Sequence, residues 1–150
     1  MAAAEVVVRP AQPGDLAAVV ALDAEETGIE KAAYWKERFA WYAGGHRDRF
    51  FLIAERADEP VGFIVGEVRA WEFGSTPSGW IFAIHVKPGG RLHGLGTVLF
   101  EAICARFRKA GVQHVRTMVS KDEQLVMSFF RSQGMMAGPF IELEMPLEAS

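Results

Sequence analysis

The segment "HVKPGGRLHGLGTVLF", residues 85–100, joins a predicted strand to a predicted helix through a glycine-rich turn. The strand, 80–86, is largely apolar. The helix, 94–111, has apolar residues three or four positions apart and basic residues in its last turn. The first amides of a helix lack intrahelical acceptors, its dipole favours negative charge, and glycine lets an anion approach the backbone. The segment therefore predicts either an anion-binding turn or a tight turn that binds nothing.

Hydrophobic periodicity and turn residues divide the rest of the chain into further elements. Strands are expected at 5–9, 50–55, 61–73, 80–86, 112–119 and 140–147, and helices at 13–28, 30–45, 94–111 and 120–134. The order β-α-α-β-β-β-α-β-α-β predicts a mixed α/β domain with a central sheet. Because the chain has 150 residues and no evident linker, residues 1–150 are expected to form a single domain.

Composition and charge disfavour several classes of protein. The net charge of −3 does not indicate a nucleic-acid-binding protein. The single cysteine, Cys104, excludes an internal disulfide and indicates a reducing compartment. The sequence has no secretory leader and no run of about 18 apolar residues, so a cytoplasmic protein without a membrane partner is expected. The scattered histidines lack metal-ligand spacing, so no metal site is expected.

Five residues of the opening segment carry a resemblance to a known family. Val86, Pro88, Arg91, Gly94 and Gly96 reproduce V-x-P-x-x-R-x-x-G-x-G, which resembles the acyl-CoA-binding signature of the GNAT superfamily of N-acetyltransferases. The segments "VVVRPAQPGDLAAVVAL", "VGFIVGEV" and "LVMSFFRSQGM" resemble other parts of that family, so the resemblance covers nearly the whole chain. It implies the GNAT fold, a central mixed and mostly antiparallel sheet flanked by helices, with splayed strands that form the acyl-CoA cleft.

The resemblance implies acetyl-CoA as co-substrate. The amides from Leu92 to Thr97 would hold the pyrophosphate, and the backbone of Ile84 and Val86 would pair with the pantetheine amides as an added strand does. The residues that the resemblance assigns to this co-substrate are Ile84, Val86, Arg91, Leu92, His93, Gly94, Leu95, Gly96, Thr97, Phe129 and Phe130.

The sequence departs from the family where proton transfer takes place. Many relatives have a tyrosine, which protonates the leaving thiolate, at the position of Phe130 here. An asparagine that contacts pantetheine is replaced by Glu123, which is expected to form a capping box with Ser120. The positions where relatives place a base are all apolar in this chain: Trp80, Phe82 and Met118. The carboxylates Glu26, Glu30, Glu67 and Glu72 remain as groups that could attract the amine or relay its proton, or alternatively are solvated surface residues. Glu67 and Glu72 are the first candidates for catalytic residues.

Aromatic residues predict an apolar wall for the acceptor, or alternatively core packing. The substrate-binding candidates are Trp35, Tyr42, Trp71, Trp80 and Phe82. His85 alternates with Ile84 and Val86, so it is expected to face away from Trp80 and Phe82 and is interpreted as structural.

The resulting hypothesis is an acetyl-CoA-dependent N-acetyltransferase that acts directly on a primary amine. The acceptor is a protein N-terminus, a lysine or a small-molecule amine. Because the proton-transfer positions are apolar, the alternative is a non-catalytic acyl-CoA-binding module that regulates or senses. A third idea is assembly through the aromatic helix. Dimers are common in the family, and a homodimer is compatible with the residues but not required by them.

Overall fold

Five strands form one sheet in the order β1-β2-β3-β4-β5 in the computed structural model, which describes residues 5–89 and 94–148. The strands are β1 Val6–Pro10, β2 Arg49–Arg56, β3 Glu59–Arg69, β4 Ser78–Val86 and β5 Val115–Arg116. The first four are antiparallel neighbours, and β5 runs parallel to β4. β2 and β3 meet at a two-residue turn in which Ala57 and Asp58 both have positive φ, as a tight hairpin turn requires.

The described residues form four helices: α1 Leu16–Thr27, α2 Ala32–Tyr42, α3 Leu95–Lys109 and α4 Gln124–Ser132. Short 3₁₀ turns precede α1 at Pro13–Asp15 and β4 at Glu72–Gly74. α1 ends where Gly28 adopts a left-handed conformation with φ of 76°. The predicted fold class, a mixed and mostly antiparallel sheet with helices, is confirmed.

The core lies on both faces of the sheet. On one face, α1 and α2 bury an aromatic cluster in which Trp35 contacts Phe51 and Phe63 edge to face, with centroids 6.1 and 5.2 Å apart. On the other face, α3 packs closely because β3 and β4 present glycines to it. A Cβ added at Gly79 would lie only 2.5 Å from the Phe107 ring.

A bulge in β4 reverses the facing of its side chains. Val65 of β3 lies opposite Ala83, but the next residue, Gly66, lies opposite Ile81, so Phe82 is an extra residue in β4. An extra residue changes the phase of the inward and outward alternation. The prediction that His85 faces away from Trp80 and Phe82 is therefore wrong, since strict alternation does not hold across the bulge.

The contact between β4 and β5 is short. Gly79 and Trp80 of β4 pair with Val115 and Arg116 of β5. β5 thus has two residues, whereas the sequence predicted an eight-residue strand at 112–119. The Thr117 hydroxyl then donates to the Ile81 carbonyl over 2.9 Å. Beyond this point, within the part of the chain that the structure describes, no second strand pairs with residues 82–86. One edge of β4 is therefore open next to the bulge.

The chain divides into two compact units, Met1–Met118 and Val119–Ser150. In the second unit α4 begins after Glu123, and the Glu123 side chain makes no cap hydrogen bond. The predicted capping box is therefore not formed; the Ser120 hydroxyl instead accepts from the Asp122 amide over 3.4 Å. The strand predicted at 140–147 is not formed, since these residues have no regular secondary structure in the structure.

None of the helices within residues 5–89 and 94–148 combines the length and apolarity that crossing a membrane requires.

Candidate functional site

Arg69, near the end of β3, brings four of the predicted site residues together. Its Nε atom lies 3.2 Å from a Glu67 oxygen, and its Nη1 atom lies 3.7 Å from a Glu72 oxygen. The guanidinium also lies over the rings of Phe82 and Trp80, 4.7 and 5.7 Å from their centroids. The two candidate carboxylates and two candidate aromatic residues thus share one cationic neighbour.

Tyr42, at the end of α2, closes this group from the helix side. Its ring centroid lies 6.1 Å from that of Phe82. Burial raises the pKa of the Tyr42 phenol, and the nearby charge of Glu67 raises it further. The phenol therefore stays protonated at neutral pH and can donate a hydrogen bond. The cluster of Tyr42, Glu67, Arg69, Trp80 and Phe82 is called the aromatic–acidic cluster below.

The loop between β3 and β4 exposes two further aromatic side chains. Trp71 and Phe73 are 72% and 75% exposed, and both have positive φ, of 65° and 55°. Such φ values are unusual for large side chains and cost about 1–3 kcal/mol each. They flank Glu72, which contacts Arg69. Trp71, a predicted substrate residue, is therefore presented to solvent beside the aromatic–acidic cluster.

Trp35, another predicted substrate residue, lies inside the core. It is 3% exposed, and its indole N–H donates to the Asp23 carboxylate over 3.0 Å. Tyr34, its neighbour along α2, contacts it edge to face with centroids 5.1 Å apart. These contacts give Trp35 a structural role in holding α2 against α1.

A second polar cluster joins Glu26, a candidate carboxylate, and His85, interpreted as structural, with Asp23; the sequence did not predict that they lie together. His85 Nδ1 lies 2.5 Å from a Glu26 oxygen, and Nε2 lies 3.4 Å from an oxygen of buried Asp23. Asp23 also lies 3.3 Å from the Lys31 ammonium. The bulge turns His85 toward α1, and no sequence pattern predicts the bulge. The available signal was the three-residue spacing of Asp23 and Glu26, which places both carboxylates on one face of α1.

The residues predicted to bind the donor lie at two adjoining places. Ile84 and Val86 are half-buried on β4, where its second edge is open. Gly94 has φ of 71°, and its carbonyl accepts from the Val98 amide over 3.1 Å as α3 begins. Leu95, Gly96 and Thr97 form the first turn of α3, where a helix has amides without intrahelical acceptors. Arg91, Leu92 and His93 lie outside the described residues.

Phe129 and Phe130 belong to the second unit. Phe130 is buried, and its ring lies 5.2 Å from that of Phe129. Met118, at the end of the first unit, is 73% exposed. Among residues 5–89 and 94–148, no group of three or more His, Cys, Asp or Glu side chains is arranged to hold a metal ion.

Solved structures similar to this one share its fold. An aminoglycoside N-acetyltransferase, AAC(6')-Iy in complex with CoA, superposes with a TM-score of 0.84 and 14% identity, covering 97% of each chain. The aminoglycoside 6'-N-acetyltransferase AAC(6')-Ih from Acinetobacter baumannii superposes with a TM-score of 0.78 and 15% sequence identity, covering 96% of this chain and 100% of that one. A transcriptional regulator from Bacillus halodurans C-125 superposes with a TM-score of 0.80 and 17% sequence identity, covering 95% of this chain and 100% of that one.

Comparison with curated protein sequences finds no significant match. The family described as Acetyltransferase (GNAT) family, in contrast, matches residues 16–135, which is well over half of the chain and spans both units. This match confirms the resemblance drawn from the glycine-rich segment. The chain belongs to the GNAT family of acetyltransferases.

Proposed function

We propose that this acetyltransferase transfers an acetyl group from acetyl-CoA directly to a primary amine. The observation that carries the proposal is the open edge of β4, which adjoins the glycine-bounded start of α3 and lies next to the bulge. An open edge supplies backbone donors and acceptors for an extended, amide-bearing arm. The start of a helix supplies amides and a positive dipole end for phosphate.

On the donor side, the residues fit a coenzyme A molecule. Ile84 and Val86 would pair with the two pantetheine amides. The first turn of α3, from Gly94 to Thr97, would bind the pyrophosphate together with Arg91, Leu92 and His93 of the signature. The described part of this arrangement is a strand edge followed by a left-handed glycine, so close approach of the backbone is sterically free.

On the acceptor side, the aromatic–acidic cluster would receive the amine. Trp80, Phe82 and exposed Trp71 offer apolar surface, and Glu67 offers a carboxylate. Arg69 offsets part of the negative charge of Glu67 and Glu72, so the attraction for a polycation is moderate. We therefore infer an amine attached to an apolar or aromatic group, and rank it above a polycationic sugar.

Direct transfer makes modest demands on side-chain chemistry. The neutral amine attacks the thioester carbonyl, a C–N bond forms, the C–S bond breaks, and the amine loses one proton while the CoA thiolate leaves. Holding amine and thioester together supplies effective molarities of about 10⁵ M or more. Positioned acid–base groups add typically only about 10²–10⁴-fold. An enzyme with Phe130 at the usual acid position can therefore remain active.

The proposal is tested by amine-dependent thiol release from acetyl-CoA. The panel contains arylalkyl amines, a lysine peptide, a peptide with a free N-terminus and an aminoglycoside, and acetylated products are identified by mass spectrometry. CoA binding is measured in parallel by calorimetry. Release that saturates with an arylalkyl amine supports the proposal.

Tight CoA binding without turnover on any amine would favour the non-catalytic module, the second candidate. The apolar residues Phe82, Met118 and Phe130 at the usual proton-transfer positions are the observation that keeps this candidate. Failure to bind CoA would overturn both the acetyltransferase proposal and the non-catalytic module.

A further inference from the structure

The imidazole of His85 on β4 lies between two carboxylates of α1. Its Nδ1 atom is 2.5 Å from a Glu26 oxygen, and its Nε2 atom is 3.4 Å from an Asp23 oxygen. A neutral imidazole has one N–H and one lone pair, so it would present the lone pair to one of the two carboxylates. The doubly protonated imidazolium can donate toward both. The arrangement therefore fits a cationic His85 that bridges the two side chains.

Three elements surround this imidazole. α1 presents the two carboxylates, of which the Asp23 side chain is 2% exposed and also accepts from the Trp35 indole N–H over 3.0 Å. The connection between α1 and α2 presents the Lys31 ammonium, 3.3 Å from Asp23, and β3 presents the Phe63 ring, 5.0 Å from the imidazole between centroids. Buried charges require partners of opposite sign. With His85 charged, two positive side chains balance two negative ones.

The backbone of His85 points toward β3, whereas the backbone groups of its two neighbours point toward the open edge of β4. The Lys87 amide donates to the Val61 carbonyl of β3 over 2.8 Å. In an antiparallel ladder every second residue exchanges hydrogen bonds with its partner, so His85, two residues earlier, also directs its amide and carbonyl at β3. The corresponding groups of Ile84 and Val86 face the other way. The side chain of His85 is therefore fixed between the two residues proposed to pair with pantetheine.

We propose that the His85 imidazolium is a positioning residue for the donor: it connects β4 to α1 and so fixes the direction in which Ile84 and Val86 present their backbone groups. This inference rests on the acetyl-CoA site proposed above. The strand needs such a connection because the bulge at Phe82 interrupts the regular ladder just before this segment. When the imidazole loses a proton, one of its two contacts with α1 loses its hydrogen bond. The affinity for acetyl-CoA is therefore expected to fall as the pH rises through the titration of His85.

The test measures the dissociation constant of acetyl-CoA by calorimetry across about pH 6–9, where histidine side chains change charge. His85→Gln, which cannot become cationic, is expected to bind acetyl-CoA about 10-fold more weakly than the wild type near pH 6. The ratio of the two dissociation constants is expected to shrink toward 1 as the pH rises. Because the ligand's phosphates titrate equally in both experiments, the ratio isolates the protein's contribution. His114→Gln changes an exposed histidine of the same unit and is expected to keep a ratio of 1 throughout.

A second variant covers the case in which His85→Gln does not fold, which circular dichroism establishes. Glu26→Gln changes a side chain that is 37% exposed and removes the charged partner of Nδ1, so it is expected to weaken binding in the same direction near pH 6. A ratio of 1 at every pH in the folded variant would overturn the inference about His85. A ratio above 1 that does not change with pH would overturn it as well, since the histidine would then have a structural role alone. If the wild type binds no acetyl-CoA at any pH, the donor site itself is wrong.

Discussion

At the scale of single residues, the two candidate carboxylates, Glu67 and Glu72, differ in their exposure and in their contacts with the aromatic–acidic cluster. The Glu67 side chain is 18% exposed, and Glu67 lies beside Tyr42 and Arg69 on the face that carries Trp80. Glu72 is 52% exposed and reaches Arg69 only at 3.7 Å. An exposed ion pair such as Glu72–Arg69 contributes little to stability. Of the two, we therefore propose Glu67 as the residue that contacts an acceptor amine.

Replacing the carboxylates one at a time is expected to show this difference. Glu67→Ala should lower kcat/KM for the preferred amine about 10-fold or more, because the variant loses a positioned acceptor for the amine or its proton. Glu72→Ala should stay within about 2-fold of the wild type, as expected for an exposed ion pair. Steady-state thiol release measures both. Full turnover by both variants would remove the carboxylates from the acceptor site.

Asp15 is a residue whose ionisation stabilises the fold. The Arg9 guanidinium donates to both Asp15 oxygens, over 2.7 and 2.9 Å, and lowers the pKa of that carboxyl below its usual value. Because the folded pKa is depressed, the stabilisation is complete above the unfolded value of about 3.9 and is lost as pH falls through the folded pKa.

Asp15→Asn is expected to cost about 2 kcal/mol of unfolding free energy at pH 7, because it removes charged hydrogen bonds. It should also flatten the dependence of stability on pH below about pH 4. Urea unfolding from pH 2.5 to 7 measures both effects, with Glu25→Gln, an exposed change on α1, as the control. If Asp15→Asn unfolds like Glu25→Gln at every pH, the ion pair contributes nothing.

At the scale of elements, sequence periodicity predicted most of the helices and strands, and the reasons for its failures are specific. α2, α3 and the β2–β3 hairpin follow from periodic apolar residues and turn signals. The bulge at Phe82 was not predictable, since its sequence is an ordinary apolar run. The Asp23–His85–Glu26 cluster depends on that bulge and was missed with it. The lengths of the last strands depend on partners distant in sequence, which local patterns do not encode.

The approach of α3 to the sheet gives a prediction at this scale. Gly79→Ala would place a methyl group 2.5–2.7 Å from three carbons of Phe107 and is expected to cost about 1–3 kcal/mol through overpacking. Thermal and urea unfolding measure the loss. Gly14→Ala, where nothing lies within 4 Å of the added Cβ, is the matched control. Adding Phe107→Leu to Gly79→Ala should recover part of the lost unfolding free energy. If the double variant loses as much as the sum of the two single variants, Gly79 and Phe107 are not in contact.

At the scale of the whole molecule, the sequence identified the family, and the proposed donor, acetyl-CoA, follows from that family, whereas the acceptor does not. The signature from Val86 to Gly96 is local, and the turn chemistry that it encodes needs no tertiary information. The proposed acceptor side, in contrast, combines side chains of α2, β3 and β4, so its composition emerges only when these elements pack. The 14–17% identity to proteins of the same fold leaves the acceptor open, because function resides in the site and not in the fold.

We propose that the open edge of β4 and the start of α3 together hold acetyl-CoA. Hydrogen exchange with and without acetyl-CoA tests it most directly, with ADP as a control that carries the diphosphate but no pantetheine. We expect acetyl-CoA to protect the amides of both 83–86 and 94–97, ADP to protect only those of 94–97, and the amides of β1 to be unchanged. If saturating acetyl-CoA leaves 83–86 unprotected, the strand edge does not hold the pantetheine arm.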